Sequence, residues 1–382
     1  MDFSPTQEQQ MALDSFRRFA ESEIRPALET YEDSFVPREE MRSLIRQLQP
    51  FGVINGSVAE EDGGFGLDMI TYGLLFEELA RASADLAVVA LLQMECSKLL
   101  AGVPGDLTRP YLHAIAECEK FGSIGISEPD VGSNIAEIKT RARRDGDQLV
   151  VNGEKQWISN GHYSDFNICV VQVESGKEKE GLALLLVDRA HGYTSRNIPK
   201  MILNSQSTAQ LFFSDVRVPA ANLLTAPGKG LGKMLGLLEA GRPLVGLMAV
   251  AVAQAALDDS IEYARNRKQH GKYIAEHQLI QAMIAEMATE IDAARLLCYR
   301  ALDQVEKGRG SAIESSKAKL FATEMALRVV NKAMEIHGGN GLTTEFRVEK
   351  LYRLARIFPI TEGTAEMQKL IIARDLLGVS AF

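Results

Sequence analysis

Five short stretches of this sequence carry side chains whose type and spacing could do chemistry. The last of them is Ile360-Thr361-Glu362-Gly363-Thr364-Ala365-Glu366. A glutamate beside glycine in a tight turn can point into a cavity and act there as a general base. An acid close to a helix start also complements the helix dipole with no further role. The first stretch, Gly125-Ile126-Ser127-Glu128-Pro129-Asp130-Val131-Gly132-Ser133-Asn134, is a polar turn. Its Gly132 and Ser133 can offer backbone N–H groups and a hydroxyl to a phosphate, although an ordinary Pro/Gly loop has the same composition.

Trp157-Ile158-Ser159-Asn160-Gly161 holds the single tryptophan of the chain. An indole beside a hydroxyl can pack on a planar heterocycle while the hydroxyl bonds to it, or can be a core residue at a sheet edge. Arg265-Asn266-Arg267-Lys268-Gln269-His270-Gly271-Lys272 is a basic cluster in an acidic chain. It suits a pyrophosphate or nucleotide, and equally a helix C-terminus. His337-Gly338-Gly339-Asn340-Gly341 carries more glycine than a helix C-cap needs, which points to close backbone approach to a ligand.

These stretches sit on a plan that is helical, then β, then helical. Residues 1 to about 120 read as helices: Ser4-Pro5 with Gln7 is a cap-then-Pro start, and Met11, Phe16, Phe19 and Ile24 share a face. Further helices are expected after Pro37 up to Pro50, and at about 68–82, 84–101 and 107–118. From Phe121 to about Val218 the pattern is strands, with a hairpin around Asp145-Gly146 and apolar runs at 166–173, 181–187 and 210–218. Strands in series without intervening helices predict an antiparallel sheet or barrel. Past Pro227-Gly228-Lys229-Gly230 the helical period returns over about 231–266, 276–307, 312–337 and 361–377, as an antiparallel bundle would show.

The chain has 382 residues, 46% hydrophobic and 24% charged, with a net charge of −9. That length predicts two or three structural units. The acidic balance speaks against general nucleic-acid binding. Cys96, Cys118, Cys169 and Cys298 share no metal-type spacing and read as buried apolar groups, so no metal is expected. The start MDFSPTQEQQ lacks the basic-then-apolar order of a secretory signal, and Pro243 to Leu257 is too short an apolar run to span a bilayer. A soluble cytoplasmic protein is expected.

Together and in this order, the five stretches resemble the acyl-CoA dehydrogenase family across nearly the whole chain. Ile126–Ser133 resembles its flavin-binding S/T-E-P-x-x-G-S stretch, Trp157-Ile158-Ser159 its W-I-T/S segment and Arg267 to Gly271 its R-x-x-F-G motif. His337-Gly338-Gly339 with Gly341 resembles its G-G-x-G loop, and Glu362-Gly363-Thr364 its E-G-T base motif. The resemblance implies an α+β multidomain fold: an N-terminal helical domain over 1–120, a central antiparallel β domain over 121–226 and a C-terminal four-helix bundle over 227–382. It implies FAD between the β domain and the bundle, with Ser127 at the pyrimidine end of the flavin, Ser133 at the pyrophosphate, Ser159 near N5 and Trp157 on the ring system. Ile126, Gly132, Ile158, Thr364 and Glu366 join the cofactor set by the same likeness. Arg267, His270, Gln278, Glu335, Gly338 and Gly339 would complete the FAD site of a neighbouring subunit, in a homo-oligomer that is usually a tetramer.

The chemistry so implied is removal of the α-proton of an acyl-CoA thioester by Glu362, with hydride passing from the β-carbon to flavin N5 and a trans-2-enoyl product. Glu239 and Arg242 resemble the family's D/E-x-x-R substrate-contact helix, with Ser133 and Gly363 also at the substrate. Some members carry the base one residue before that Arg; here the position is Gly241, which leaves Glu362. Electron-transfer flavoprotein is the implied electron acceptor. An acyl-carrier-protein dehydrogenase, an oxidase and an enoyl reductase are alternative activities on the same plan. Departures are Thr361 for Tyr before the base, His270 for Phe, Glu335 for Gln and Leu354 for Asp. Loss of the ring at Thr361 enlarges the space beside the reacting carbons and favours a branched, cyclic or otherwise bulky acyl group.

Overall fold

The computed structural model describes residues 4–31, 34–309 and 312–380. In chain order come helices α1 (Gln7–Phe19), α2 (Arg25–Glu29), α3 (Arg38–Leu48), α4 (Met69–Ala82), α5 (Ala84–Ala101) and α6 (Arg109–Ala116). Strands follow: β1 (Gly122–Gly125), β2 (Arg141–Asp145), β3 (Gln148–Ser159), β4 (Phe166–Ser175), β5 (Glu178–Asp188), β6 (Thr194–Asn197) and β7 (Thr208–Pro219). Then come α7 (Gly230–Asn266), a small hairpin of β8 (Lys268–Gln269) and β9 (Lys272–Tyr273), and α8 (Gln278–Glu306), α9 (Ala312–His337), α10 (Val348–Ala355) and α11 (Ala365–Leu377). The helical–β–helical order is the one expected.

The first helix starts later than Ser4-Pro5 implies. Two S/T-x-x-Q patterns overlap here, and the second sets the boundary. Thr6 Oγ1 accepts from the Gln9 N–H at 3.2 Å, and the Thr6 N–H donates to the Gln9 side chain at 2.9 Å. The helix buries Leu13 and Phe16 and leaves Met11, expected on the buried face, 58% exposed. Helix α3 buries Met41, Leu44, Ile45 and Leu48 at the spacing of a single helical face.

By packing, the chain forms two units. One comprises Ser22–Asp68 and Asp85–Leu238, and contains α3, α6, most of α5 and the sheet. Its strands run in the order β1-β4-β2-β3-β7-β6, with β5 on the other edge of β4. The sheet is mixed, which corrects the expected all-antiparallel arrangement. β2–β3, β3–β7, β4–β5 and β6–β7 are antiparallel, but β1 and β2 each pair parallel with β4. The reason lies in the loop between them. β1 lies along Phe166–Cys169 and β2 along Gln172–Glu174, so the chain runs beside β4 twice in one direction, leaving the edge only for the 126–140 loop. The Gly146-Asp147 loop closes the β2–β3 hairpin, with Gly146 at φ +64°.

Both faces of β4 and β5 are buried, which is why these strands read as unbroken apolar runs. Phe166, Ile168, Val170, Leu182, Leu184 and Leu186 pack with Leu99, Leu100, Leu112 and Ile115 from α5 and α6. The alternate residues Cys169, Val171, Val173, Ala183, Leu185 and Val187 pack with Leu149, Val151, Leu211 and Phe213 from β3 and β7.

The second unit comprises Met1–Glu21, Met69–Ala84 and Glu239–Phe382. The long helices α8 and α9, α11 and the greater part of α7 form the expected bundle, and α1 and α4 join them. Close approach is set by small residues: a Cβ on Gly246 of α7 would lie 2.6 Å from Cys298 Sγ and 3.5 Å from Ala322 Cβ. Helix α7 runs through Pro243, within the span expected for it. It is long and apolar enough to cross a membrane, yet 78% of its apolar window is buried inside the folded chain. All four cysteines are buried and free.

Leu185 is fully buried, so Leu185→Ala is expected to cost about 2–5 kcal/mol by transfer and cavity terms. Met11→Ala is expected to change stability by less than about 0.5 kcal/mol. Denaturant midpoints of the two variants against wild type measure both; equal losses would contradict the packing described.

Candidate active site

The sequence-singled residues fall into two sets, one in each unit. In the sheet unit, the loop after β1 is fastened to β3. The Gln156 N–H donates to the Ser127 carbonyl at 2.8 Å, and Lys155 Nζ donates to the Ile126 carbonyl at 3.1 Å. Lys155 is fully buried and also bonds Glu128 Oε1 at 2.8 Å. Glu128 takes two more bonds, from the Lys139 and Thr140 N–H groups at 2.7 and 2.8 Å. Burial alone would raise this carboxyl; the Lys155 charge and the donated bonds outweigh it and hold it below the ordinary glutamate range. The pair therefore fixes Ile126 and Ser127 beside Trp157 in the chain.

Trp157 stands where the β3–β7 register shifts, between Lys155 and Ile158. Its φ is +64°, rare for a bulky residue, and its side chain is 58% exposed. The core-tryptophan alternative is thus excluded: a large flat apolar ring is held outward by a strained backbone, a combination that marks functional sites. Ile158 beside it is buried, and Ser127 and Ser159 are half-buried. Gly132 and Ser133 are exposed, and a Cβ on Gly132 would meet nothing within 4 Å.

In the helical unit, Glu362 lies before the N-cap of α11, not in its first turn. Thr364 is the N-cap, its Oγ1 accepting from the Met367 N–H at 3.3 Å. The exposed Glu366 is the acid of the first turn, so the dipole role belongs to it and not to Glu362. Glu362 has φ +55° and Gly363 φ +89°. Three side chains converge on the carbonyls of this turn. Arg242 Nε of α7 reaches the Glu362 carbonyl at 3.4 Å, Lys319 Nζ of α9 donates to the Gly363 carbonyl at 2.7 Å, and Gln368 Nε2 of α11 donates to the Gly363 carbonyl at 2.9 Å. Arg242, Lys319 and Gln368 are all buried. A Cβ on Gly363 would sit 2.8 Å from Gln368 Nε2, so the clamp closes only on glycine.

The carboxylate itself is treated differently. Glu362 Oε2 is buried and takes no hydrogen bond from any described residue. Burial raises the Glu362 carboxyl above its ordinary value, against the opposing charges of Arg242 and Lys319. Burial likewise lowers Arg242, opposed by Glu362 and Glu239, and brings Lys319 down to about 8. A carboxyl whose burial favours its protonated form and whose buried oxygen is unpaired is suited to taking a proton. Gly241 is buried within α7 and offers no competing acid. Sequence reasoning did not single out Lys319 or Gln368. Both lie inside helices, and only the fold shows that they reach the turn.

The remaining residues are exposed in this chain. Arg267, His270 and Gln278 lie along the β8–β9 hairpin and the start of α8. The hairpin turns through His270 (φ +52°) and Gly271 (φ +77°). Gly338 and Gly339 are exposed past the end of α9, and a Cβ on either would meet nothing within 4 Å. Below them, His337 stacks on Tyr263 with ring centroids 4.4 Å apart. Glu335 is exposed and bonded by Asn331 at 2.9 Å. Leu354 is buried in α10. Among the described residues no cluster of three or more His, Cys, Asp or Glu could hold a metal ion.

Three family descriptions match the chain: "Acyl-CoA dehydrogenase, N-terminal domain" over residues 6–117, "middle domain" over 123–216 and "C-terminal domain" over 228–377. The chain is 38% identical over 384 residues to the probable acyl-CoA dehydrogenase YngJ of Bacillus subtilis (strain 168), covering 99% of this chain and 100% of that one. It superposes on butyryl-CoA dehydrogenase from Megasphaera elsdenii with a TM-score of 0.92 at 30% identity, over 99% of this chain and 100% of that one. A glutaryl-CoA dehydrogenase from Mycobacterium smegmatis, solved in complex with FADH2, matches with a TM-score of 0.91 at 26% identity, over 99% and 96%.

Lys155→Met leaves Glu128 buried and uncompensated and is expected to cost about 3–5 kcal/mol, read as a lower denaturation midpoint. Because Glu128 is depressed in the folded state, the stability it contributes is present above the unfolded-state value and lost as pH falls through the folded one. The variant's deficit should accordingly shrink on the acid side of the glutamate range. A deficit independent of pH there would assign the loss to packing alone.

Proposed function

The chain belongs to the acyl-CoA dehydrogenase family, and we propose that it oxidises an acyl-CoA to the trans-2-enoyl-CoA with Glu362 as the base. The enzyme is a flavin-dependent oxidoreductase with FAD as its cofactor. Its own residues fit that group: the outward Trp157 indole offers a flat apolar face, Ser127, Ser133 and Ser159 offer hydroxyls, and Gly132 leaves its backbone open to close approach. FAD supplies the two-electron sink that accepts the β-hydrogen as hydride.

The observation that carries the proposal is the buried, unpartnered Oε2 of Glu362 on a turn clamped by buried donors. The α-hydrogen of a thioester is a weak acid, and its removal needs both a positioned base and stabilisation of the charge that develops on the carbonyl oxygen. Glu362 takes the α-proton on its carboxylate. Its own N–H is the chain's donor to the thioester carbonyl. The clamp fixes the left-handed backbone on which both depend. The α C–H pair becomes part of the new C=C bond as the proton reaches Glu362 and the β-hydrogen leaves with its electrons.

Ser133, Glu239, Arg242 and Gly363 remain the substrate-side residues, and Thr361, exposed and without a ring, favours a branched or cyclic acyl group. Electron-transfer flavoprotein is the acceptor in this reading. The exposure of Arg267, His270, Gln278, Gly338 and Gly339 supports their service to FAD in a neighbouring copy, within a tetramer.

Anaerobic mixing of the FAD-loaded enzyme with a series of acyl-CoAs, followed by flavin absorbance, tests the activity. Glu362→Gln is expected to keep FAD and slow its reduction by roughly 10²–10⁴. Reduction at the wild-type rate in that variant would remove Glu362 from the mechanism. Branched or cyclic acyl-CoAs are expected to outrun straight chains from butyryl to octanoyl; the reverse order would reject the role given to Thr361.

A further inference from the structure

Two buried cations flank Glu362, yet neither hydrogen-bonds its carboxylate. Arg242 and Lys319 both turn to the backbone carbonyls of Glu362 and Gly363. The arrangement differs from Lys155 and Glu128, where the ammonium lies 2.8 Å from the carboxylate and holds it in the charged form. A direct bond of that kind at Glu362 would quench the base. A charge placed one bond away, on the carbonyl, acts on it only through space.

We propose that Lys319 is the positioning residue of the base: its ammonium, anchored on the Gly363 carbonyl, fixes the turn and sets the proton affinity of Glu362 without pairing with it. This rests on Glu362 being the base. The charged groups acting on Lys319 are Glu362, Arg242 and Glu366. Glu362 and Glu366 favour its charged form, while burial and Arg242 oppose it. Arg242 cannot lose its proton in the working range, so Lys319 is the member of this cluster whose charge can change there.

The signs follow from that placement. A positive Lys319 lowers the proton affinity that burial gives Glu362. Glu362 is thereby ionised at lower pH than burial alone would permit. When Lys319 loses its proton, the Gly363 carbonyl keeps a neutral amine donor but Glu362 loses the charge. The acid limb of α-proton removal, set by Glu362, should then lie at lower pH with the Lys319 charge present than without it.

The test is a pH titration of the Glu362 carboxyl in the FAD-loaded enzyme. The infrared carboxyl band is taken as the difference between each enzyme and its Glu362→Gln counterpart, with no substrate present. In Lys319→Met the midpoint is expected at higher pH than in wild type. In Lys319→Arg, which keeps the charge, it is expected at the wild-type position. A Lys319→Met midpoint that coincides with wild type would overturn the proposal. If Lys319→Met does not fold, Lys319→Gln, which keeps an N–H donor for the Gly363 carbonyl without the charge, decides: a midpoint that coincides with wild type overturns it. Solvent exchange of the substrate α-proton separates this from the parent reading. Exchange that survives in Glu362→Gln removes the base itself, whereas exchange lost there with an unmoved titration in Lys319→Met removes only the role of Lys319.

Discussion

A carboxylate oxygen buried without a hydrogen-bond partner is costly, and Glu362 Oε2 is such an oxygen. The surrounding helical unit has to hold that cost. It does so by fixing the backbone and leaving the side chain alone. Arg242, Lys319 and Gln368 come from three different helices and meet on two consecutive carbonyls. Glu362 adopts a left-handed backbone that a side chain rarely takes, and Gly363 follows with another. Strain of this kind persists only where several packed elements over-determine it.

The sheet unit solves the opposite problem with the same residue types. Lys155 and Glu128 are buried together, and Glu128 also takes two backbone N–H bonds. Both carboxylate oxygens are bonded, and the carboxyl is pulled down instead of up. Such a pair keeps its carboxyl charged. Its effect is geometric: it ties the loop of Ile126 and Ser127 to the strand that carries Trp157. One buried glutamate is thus a fastener and the other a reagent. The difference lies in whether the nearby lysine is spent on the carboxylate or on the backbone.

The mixed sheet serves the fastener. Because β1 and β2 run the same way beside β4, the polar loop between them leaves and rejoins a single edge. Apolar packing on both faces of β4 and β5 holds that edge still. The register shift in β3 then turns Trp157 outward at the place where the loop is anchored.

Much of this was legible in the sequence because it depends on local pattern. Helical and strand periods gave the order of elements, and turn residues such as Gly146 marked the hairpin. Glu362 beside Gly363, and Gly241 before Arg242, are adjacent residues that took their meaning from the family resemblance. Overlapping local signals were less decisive: Ser4 and Thr6 both begin a capping pattern, and the helix takes the one whose reciprocal bonds form, between Thr6 and Gln9. Strand direction at β1 and β2 was hidden because parallel or antiparallel pairing leaves no mark on strands of four and five residues. Lys319 was hidden more deeply. It reads as one more cation on a helix, and it lies 44 residues from the carbonyl it holds. The sequence by itself determined the acid and the turn that carries it. Only the tertiary structure decided that an oxygen of that acid is buried and unpaired, because desolvation and hydrogen-bond partners are properties of what the fold brings together.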